Sequence, residues 1–191
     1  TRKLRHNCEK SNLKFQVIVK KNLVLLGMMA VGKTTLGKMI AKKLGFEFID
    51  TDNEIERKNR MNIKEIFEKK GEGFFRSEEE KEVLNSINKN NCTIAIGGGA
   101  FINKKIREEI LKKTISFWLD LDIELIKKRI KNDTKRPLLF GKNIEKKIEE
   151  IYEKRKEIYE LAQHKIVCNK LSKEDIIKSI IELYENKQNI S

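Results

Sequence analysis

The stretch Gly27-Met28-Met29-Ala30-Val31-Gly32-Lys33-Thr34 sets how the rest of the chain is read. It follows an apolar run, Leu23-Val24-Leu25-Leu26, and precedes a helical pattern over about 33–44. The spacing G-x-x-x-x-G-K-[ST] is informative only in that setting, between a buried strand and a helix. Its glycines let the backbone curl so that successive N–H groups point inward at phosphate oxygens, and the positive end of the helix adds to the attraction. Lys33 is then placed to reach the β- and γ-phosphates, and the Thr34 hydroxyl to sit on Mg²⁺. A tight glycine turn with a surface lysine is the bland alternative; strand, spacing, Lys-Thr pair and helix together speak against it. Ala30-Val31 is a departure, bulkier than the Gly-Ala or Gly-Ser often seen there, and a Cβ at position 30 restricts positive φ.

Downstream, Phe46-Glu47-Phe48-Ile49 reads as a second short strand reached through Gly45. It runs into Asp50-Thr51-Asp52, and a helix opens at Asn53. Acidic residues suit a helix start for dipole reasons alone. They equally suit the carboxyl end of a strand beside a phosphate loop, where open α/β sheets bind ligands. Residues 62–70 read as a helix ended by Gly71, and 77–88 as a long helix with Val83, Leu84 and Ile87 inward. Residues 92–96 form a buried strand that stops at Gly97-Gly98-Gly99. That triplet is either a floppy turn or bare backbone for a ligand to lie against. A helix (106–113), a fourth strand (115–119) and a helix within 120–131 follow. The polar, basic excursion at 132–139 holds the single proline, Pro137, and reads as a mobile cover over a nucleotide. A long helix (144–162), a fifth strand (165–168) and a closing helix (173–185) complete the alternation, which means a parallel sheet with helices on both faces.

With 191 residues, the chain is long enough for one domain with a real core. It carries 42 Lys+Arg against 29 Asp+Glu, a formal charge of +13. The lysines are spread through helices without an aromatic-interleaved stripe, so a solvated surface is the better reading and no nucleic-acid partner is expected. No apolar run approaches the roughly 18 residues of a membrane span, so no membrane is expected either. Cys8, Cys92 and Cys168 lack metal-ligand spacing and point to a reducing cytoplasm. Residues 1–21 read as a basic N-terminal extension without the apolar core of a secretory signal; a transit peptide is the alternative.

With these motifs in view, residues 22–187 resemble the shikimate kinase family. The likeness rests on Gly27–Thr35, Phe48-Ile49-Asp50-Thr51-Asp52 with Ile55-Glu56, and Gly71-Glu72 followed by Phe75-Arg76 and Glu79. It rests further on Gly97-Gly98-Gly99, Arg136-Pro137-Leu138-Leu139, and Arg155 four residues before Tyr159. The resemblance implies a three-layer α/β/α P-loop NTPase fold, related to nucleoside monophosphate kinases, with a five-stranded parallel sheet in the order 2-3-1-4-5. It implies a single kinase domain over 22–191, with a substrate-binding region at about 52–90 and a lid at about 132–143. The implied reaction moves the ATP γ-phosphate to the 3-hydroxyl of shikimate, with Mg²⁺, in a monomer.

Carried over residue by residue, the likeness gives ATP contacts to Gly27, Met28, Met29, Ala30, Val31, Gly32, Lys33, Thr34 and Thr35. Arg129 resembles the adenine-stacking arginine, although a helix-surface cation reads equally well. Arg136 resembles the arginine that closes over the transferring phosphoryl group, so Lys33, Asp52 and Arg136 are the expected catalytic set. Asp52 resembles the carboxylate that holds the reacting hydroxyl and accepts its proton. Thr34 and Asp50 are the expected metal residues, Asp50 through water. Arg76 and Arg155 resemble a guanidinium pair on the substrate carboxylate, with Glu79 orienting Arg76. On its own, Arg155 reads as a solvated helix arginine. Gly97, Gly98 and Gly99 would line the ring hydroxyls. Two departures are the missing proline before Ile158-Tyr159 and a short loop at Asn169-Lys170-Leu171-Ser172. Two other readings are a related small-molecule kinase such as a gluconate kinase, and a non-catalytic regulatory domain.

Overall fold

A computed structural model describes residues 20–131 and 144–188. The first strand, β1 (Leu23–Leu26), is buried at every position. Apolar side chains without alternation are what a central parallel strand needs when both its faces are covered. Then come α1 (Lys33–Leu44), β2 (Glu47–Asp50), α2 (Thr51–Asn59), α3 (Ile63–Ile87) and β3 (Cys92–Ala95). A 3-10 turn (Ala100–Ile102) leads to α4 (Lys104–Lys113), β4 (Ile115–Asp120), α5 (Ile123–Lys131), α6 (Ile144–Tyr159), β5 (His164–Val167) and α7 (Lys173–Gln188). All strand pairs are parallel, in the order β2-β3-β1-β4-β5, the order implied by the resemblance. Helices α1 and α7 pack together on the sheet, and α3 and α4 form a second pair against it.

This topology decides where chemistry can sit. β1 pairs with β3 on one side and β4 on the other, with Leu23 opposite both Thr93 and Ile115. The chain first winds outward to β2, then returns across β1 to β4, and the reversal opens a crevice at the carboxyl end of β1. Because every strand runs the same way, Gly27, Asp52 and Gly97–Gly99 all emerge on that rim.

Several boundaries differ from expectation. α2 starts at Thr51 rather than Asn53 because the Asp50 side chain caps it, accepting from the Asn53 N–H at 3.4 Å; Asp52 therefore stands in the first helical turn. The helices expected over 62–70 and 77–88 are the two halves of α3, parted at Gly71 as expected, but the second half begins directly after Gly71 rather than at 77. Gly71 breaks it with φ 82° and ψ 167°, and helix resumes at once, with Arg76 paired to both Glu72 and Glu79. The helix expected to reach 162 ends at Tyr159, and the turn after it brings Gln163 to Ser116, whose N–H and hydroxyl donate to Gln163 Oε1 at 2.6 and 2.7 Å. Strands β2 and β5 are each displaced by one residue from the expected ranges.

The main core surrounds the sheet, with Trp118, Tyr159, Tyr184, Phe101 and Phe117 as its largest fully buried side chains. A second, smaller cluster of Ile55, Ile66 and Phe75 holds α2 against α3, and Lys58 on α2 is bonded to the buried Glu82 on α3. The opposite rim is tied by Asn22, just before β1. Its amide donates to the Ile87 and Lys89 carbonyls at 3.1 and 2.6 Å, its carbonyl accepts from the Cys92 N–H at 2.8 Å, and its backbone oxygen accepts from Ile115. Asn22 is 4% exposed, so Asn22→Ala would strand buried backbone groups. The variant is expected to lose about 2–4 kcal/mol of stability, read as a lowered urea midpoint; an unchanged midpoint would contradict this role.

Candidate active site

The phosphate loop is seated by contact as well as by sequence. Gly27 has φ 134°, and a Cβ there would lie 2.7 Å from the Leu119 carbonyl oxygen of β4. A side chain at that position would push the loop off the sheet. Lys33 Nζ donates to the carbonyls of Gly27 and Met28, at 3.0 and 2.8 Å, folding the ammonium back over the loop. Ala30 takes φ 61°, the left-handed region that its Cβ disfavours, and Val31 is buried beside it. The cradle therefore forms despite the departure from the usual residues. Arg129 stands beside it, exposed, with Nη1 donating to the Ala30 carbonyl at 3.0 Å. Thr35 is exposed on the first turn of α1.

Thr34 and Asp50 meet: the Thr34 hydroxyl donates to Asp50 Oδ2 at 2.6 Å. A hydroxyl and a carboxylate at the mouth of a phosphate loop are hard oxygen donors of the kind Mg²⁺ prefers. Among the described residues no group of three His, Cys, Asp or Glu is placed to hold a metal ion. A cation that keeps most of its waters and shares nucleotide oxygens needs no such group.

Asp52 and Glu79 converge from different helices on Gly97. A Cβ at Gly97 would lie 2.6 Å from Asp52 Oδ1 and 2.8 Å from Glu79 Oε1. Glu79 is 3% exposed, and burial pushes its carboxyl above the usual carboxylate range against the pull of Arg76 and Arg155. Arg76 Nη1 donates to Glu79 Oε2 at 2.7 Å, and its other edge donates to Glu72 Oε1 at 3.2 and 3.3 Å. The same Nη1 would lie 2.8 Å from a Cβ on Gly99, and Arg155 Nη1 lies 3.4 Å from one on Gly98. A Cβ on Gly98 would also lie 3.4 Å from the Gly27 oxygen, so the triplet abuts the phosphate loop.

The structure thus brings Lys33, Thr34, Asp50, Asp52, Arg76, Glu79, Gly97, Gly98, Gly99 and Arg155 to one rim. Arg136 and the lid at about 132–143 lie outside the described residues, as does Cys8 in the N-terminal extension. Sequence reasoning gave no role to Glu72 or to Tyr159, whose hydroxyl donates to the Gly98 carbonyl. The four-residue spacing of Glu72 from Arg76 was the available signal for the first.

The shikimate kinase family model matches residues 29–185. A shikimate kinase of Thermodesulfovibrio yellowstonii is 40% identical over 169 residues, spanning 88% of this chain and 98% of that protein. The structure of an Acinetobacter baumannii shikimate kinase in complex with shikimate superposes with a TM-score of 0.83 at 35% identity, covering 88% of this chain and 95% of that one. A gluconokinase from Sinorhizobium meliloti shares the fold at a TM-score of 0.56 and 12% identity, covering 90% and 95%.

The backbone at Ala30 yields a direct test. Ala30→Gly removes a left-handed Cβ and is expected to raise stability by about 1 kcal/mol in urea unfolding while leaving nucleotide binding no weaker. A midpoint lowered by that amount would show that the methyl group is needed.

Proposed function

The chain belongs to the shikimate kinase family, and we propose that it transfers the γ-phosphoryl group of ATP to the 3-hydroxyl of shikimate, giving shikimate 3-phosphate and ADP. One observation carries the reading. A phosphate loop and a pocket lined by two carboxylates, two guanidinium groups and bare glycine backbone share one rim, with Gly98 as their common wall. The first half suits a polyphosphate, and the second an acceptor with both a carboxylate and hydroxyls.

In this reading Asp52 holds the attacking hydroxyl and accepts its proton as the oxygen bonds to phosphorus and ADP leaves. Arg76 and Arg155 grip the acceptor carboxylate, and Glu79 with Glu72 fixes the plane of Arg76. Lys33 exchanges its carbonyl partners for phosphate oxygens and neutralises charge that builds on the transferring group. Thr34 and, through water, Asp50 would hold Mg²⁺, which neutralises phosphate charge. Arg129 contacts the nucleotide beside Ala30, and Arg136, by resemblance, closes over the reacting phosphoryl group. Positioning and charge neutralisation, not covalent catalysis, supply the rate. We read the protein as a cytoplasmic monomer acting on small molecules in aromatic biosynthesis. Among the described residues no helix is long and apolar enough to cross a membrane, and Cys92 and Cys168 are buried free thiols.

A coupled ADP-release assay tests the reaction. ADP release is expected to depend on shikimate, and gluconate is expected to support none; equal turnover with either acceptor, or with none, would overturn the assignment. Asp52→Asn is expected to lower kcat by about 100-fold or more without weakening ADP binding. Gly97→Ala, which drives a methyl group into both carboxylates, is expected to lower kcat/KM at least about tenfold. Wild-type rates in either variant would remove the carboxylate pair from the chemistry.

A further inference from the structure

Tyr159 is the last residue of α6 and is fully buried, with its ring 6.0 Å from that of Trp118 on β4. A phenol in such a place needs an acceptor for its proton. It finds one 61 residues away in the chain, the carbonyl of Gly98, in the middle of the glycine triplet. The Met28 sulfur of the phosphate loop stands 4.0 Å from the same hydroxyl and is a weak acceptor at best. Arg155 lies one helical turn before Tyr159 on the same face, and its charge and hydrogen bond counter the upward push of burial on the phenol.

Fixing one carbonyl fixes more than one atom. The peptide unit is planar and trans, so the direction of the Gly98 C=O sets that of the Gly99 N–H, pointing the opposite way. Gly98 and Gly99 have no side chains with which to hold that plane. Gly99 is the residue against which Arg76 lies, and Gly98 the one against which Arg155 lies. A tilt of this peptide would therefore move the backbone donor and the seats of both guanidinium groups together.

We propose that the Tyr159 hydroxyl is a positioning group for the acceptor substrate, locking the Gly98–Gly99 peptide plane and the Arg155 guanidinium so that they meet shikimate in register. It touches neither substrate and acts through the glycine backbone. Gly98 also borders the phosphate loop, but that loop is held independently by the Lys33 bonds to the Gly27 and Met28 carbonyls and by Arg129 on Ala30, so the larger effect falls on the acceptor. This proposal rests on the shikimate kinase reading.

The test compares two buried tyrosines. Tyr159→Phe deletes the hydroxyl at the site. Tyr184→Phe deletes one of the same kind elsewhere, since Tyr184 is equally buried and donates to the Lys21 carbonyl at 2.6 Å, before β1. Steady-state kinetics are read at a temperature where circular dichroism shows the wild type folded, varying shikimate and ATP separately. Tyr159→Phe is expected to raise the shikimate KM about tenfold, with the ATP KM and kcat changed less than about twofold. Tyr184→Phe is expected to lower the melting temperature while leaving both KM values alone. An unchanged shikimate KM in Tyr159→Phe, or equal rises in both KM values, overturns the proposal. Loss of fold in Tyr159→Phe alone also overturns it, because the hydroxyl would then be a folding group. Failure of the wild type to phosphorylate shikimate overturns the parent reading instead, and is visible before any variant is made.

Discussion

The parallel pairing of β1 between β3 and β4 is the constraint from which the site follows. Parallel strands must all be re-entered from the same end, so their carboxyl ends, and the loops that leave them, collect on one rim. The loop after β1 becomes the phosphate cradle, the turn after β2 supplies Asp50 and Asp52, and the turn after β3 supplies the glycine triplet. Had β1 paired with β3 in the antiparallel sense, the triplet would leave from the far edge of the sheet and the two halves of the cleft could not share a wall.

On that rim, charge is managed by pairing. The ammonium of Lys33 rests on two carbonyls, the Thr34 hydroxyl on Asp50, and the Arg76 fork on two carboxylates of unequal burial. Glu79 is the buried member and Glu72 the exposed one, so the first sets the position of the guanidinium and the second trims its freedom. A guanidinium held in this way loses less rotational freedom when it takes up a carboxylate. The high overall positive charge is a separate matter, spread over solvated helix faces rather than gathered in the cleft.

How far the chain could be read in advance depended on the range over which each residue acts. The cradle was legible because strand, glycine spacing and helix lie within a few residues of one another. The strand order came from resemblance and not from periodicity, which cannot distinguish neighbours in a sheet. Gly71 was legible as a break and its backbone is one; that the next helix starts at once rather than at about 77 was not, because Arg76 meets Glu79 and Glu72, and Phe75 the smaller core, only once the fold has formed. Asp50 and Asp52 were placed side by side before a helix, whereas the capping bond separates them into a cap and a first-turn residue. Tyr159 was illegible as more than a motif neighbour, because its partner, Gly98, is joined to it only by the tertiary fold.

The smaller apolar cluster has an evolutionary consequence. Ile55, Ile66 and Phe75 pack among themselves and not with the residues that cover the sheet, and this little core supports the arm that carries Arg76 and Glu79. Substitutions there can drift without disturbing the layers that shape the nucleotide half. A lineage built on this architecture is free to exchange what is phosphorylated while inheriting, intact, the apparatus by which phosphorylation is done.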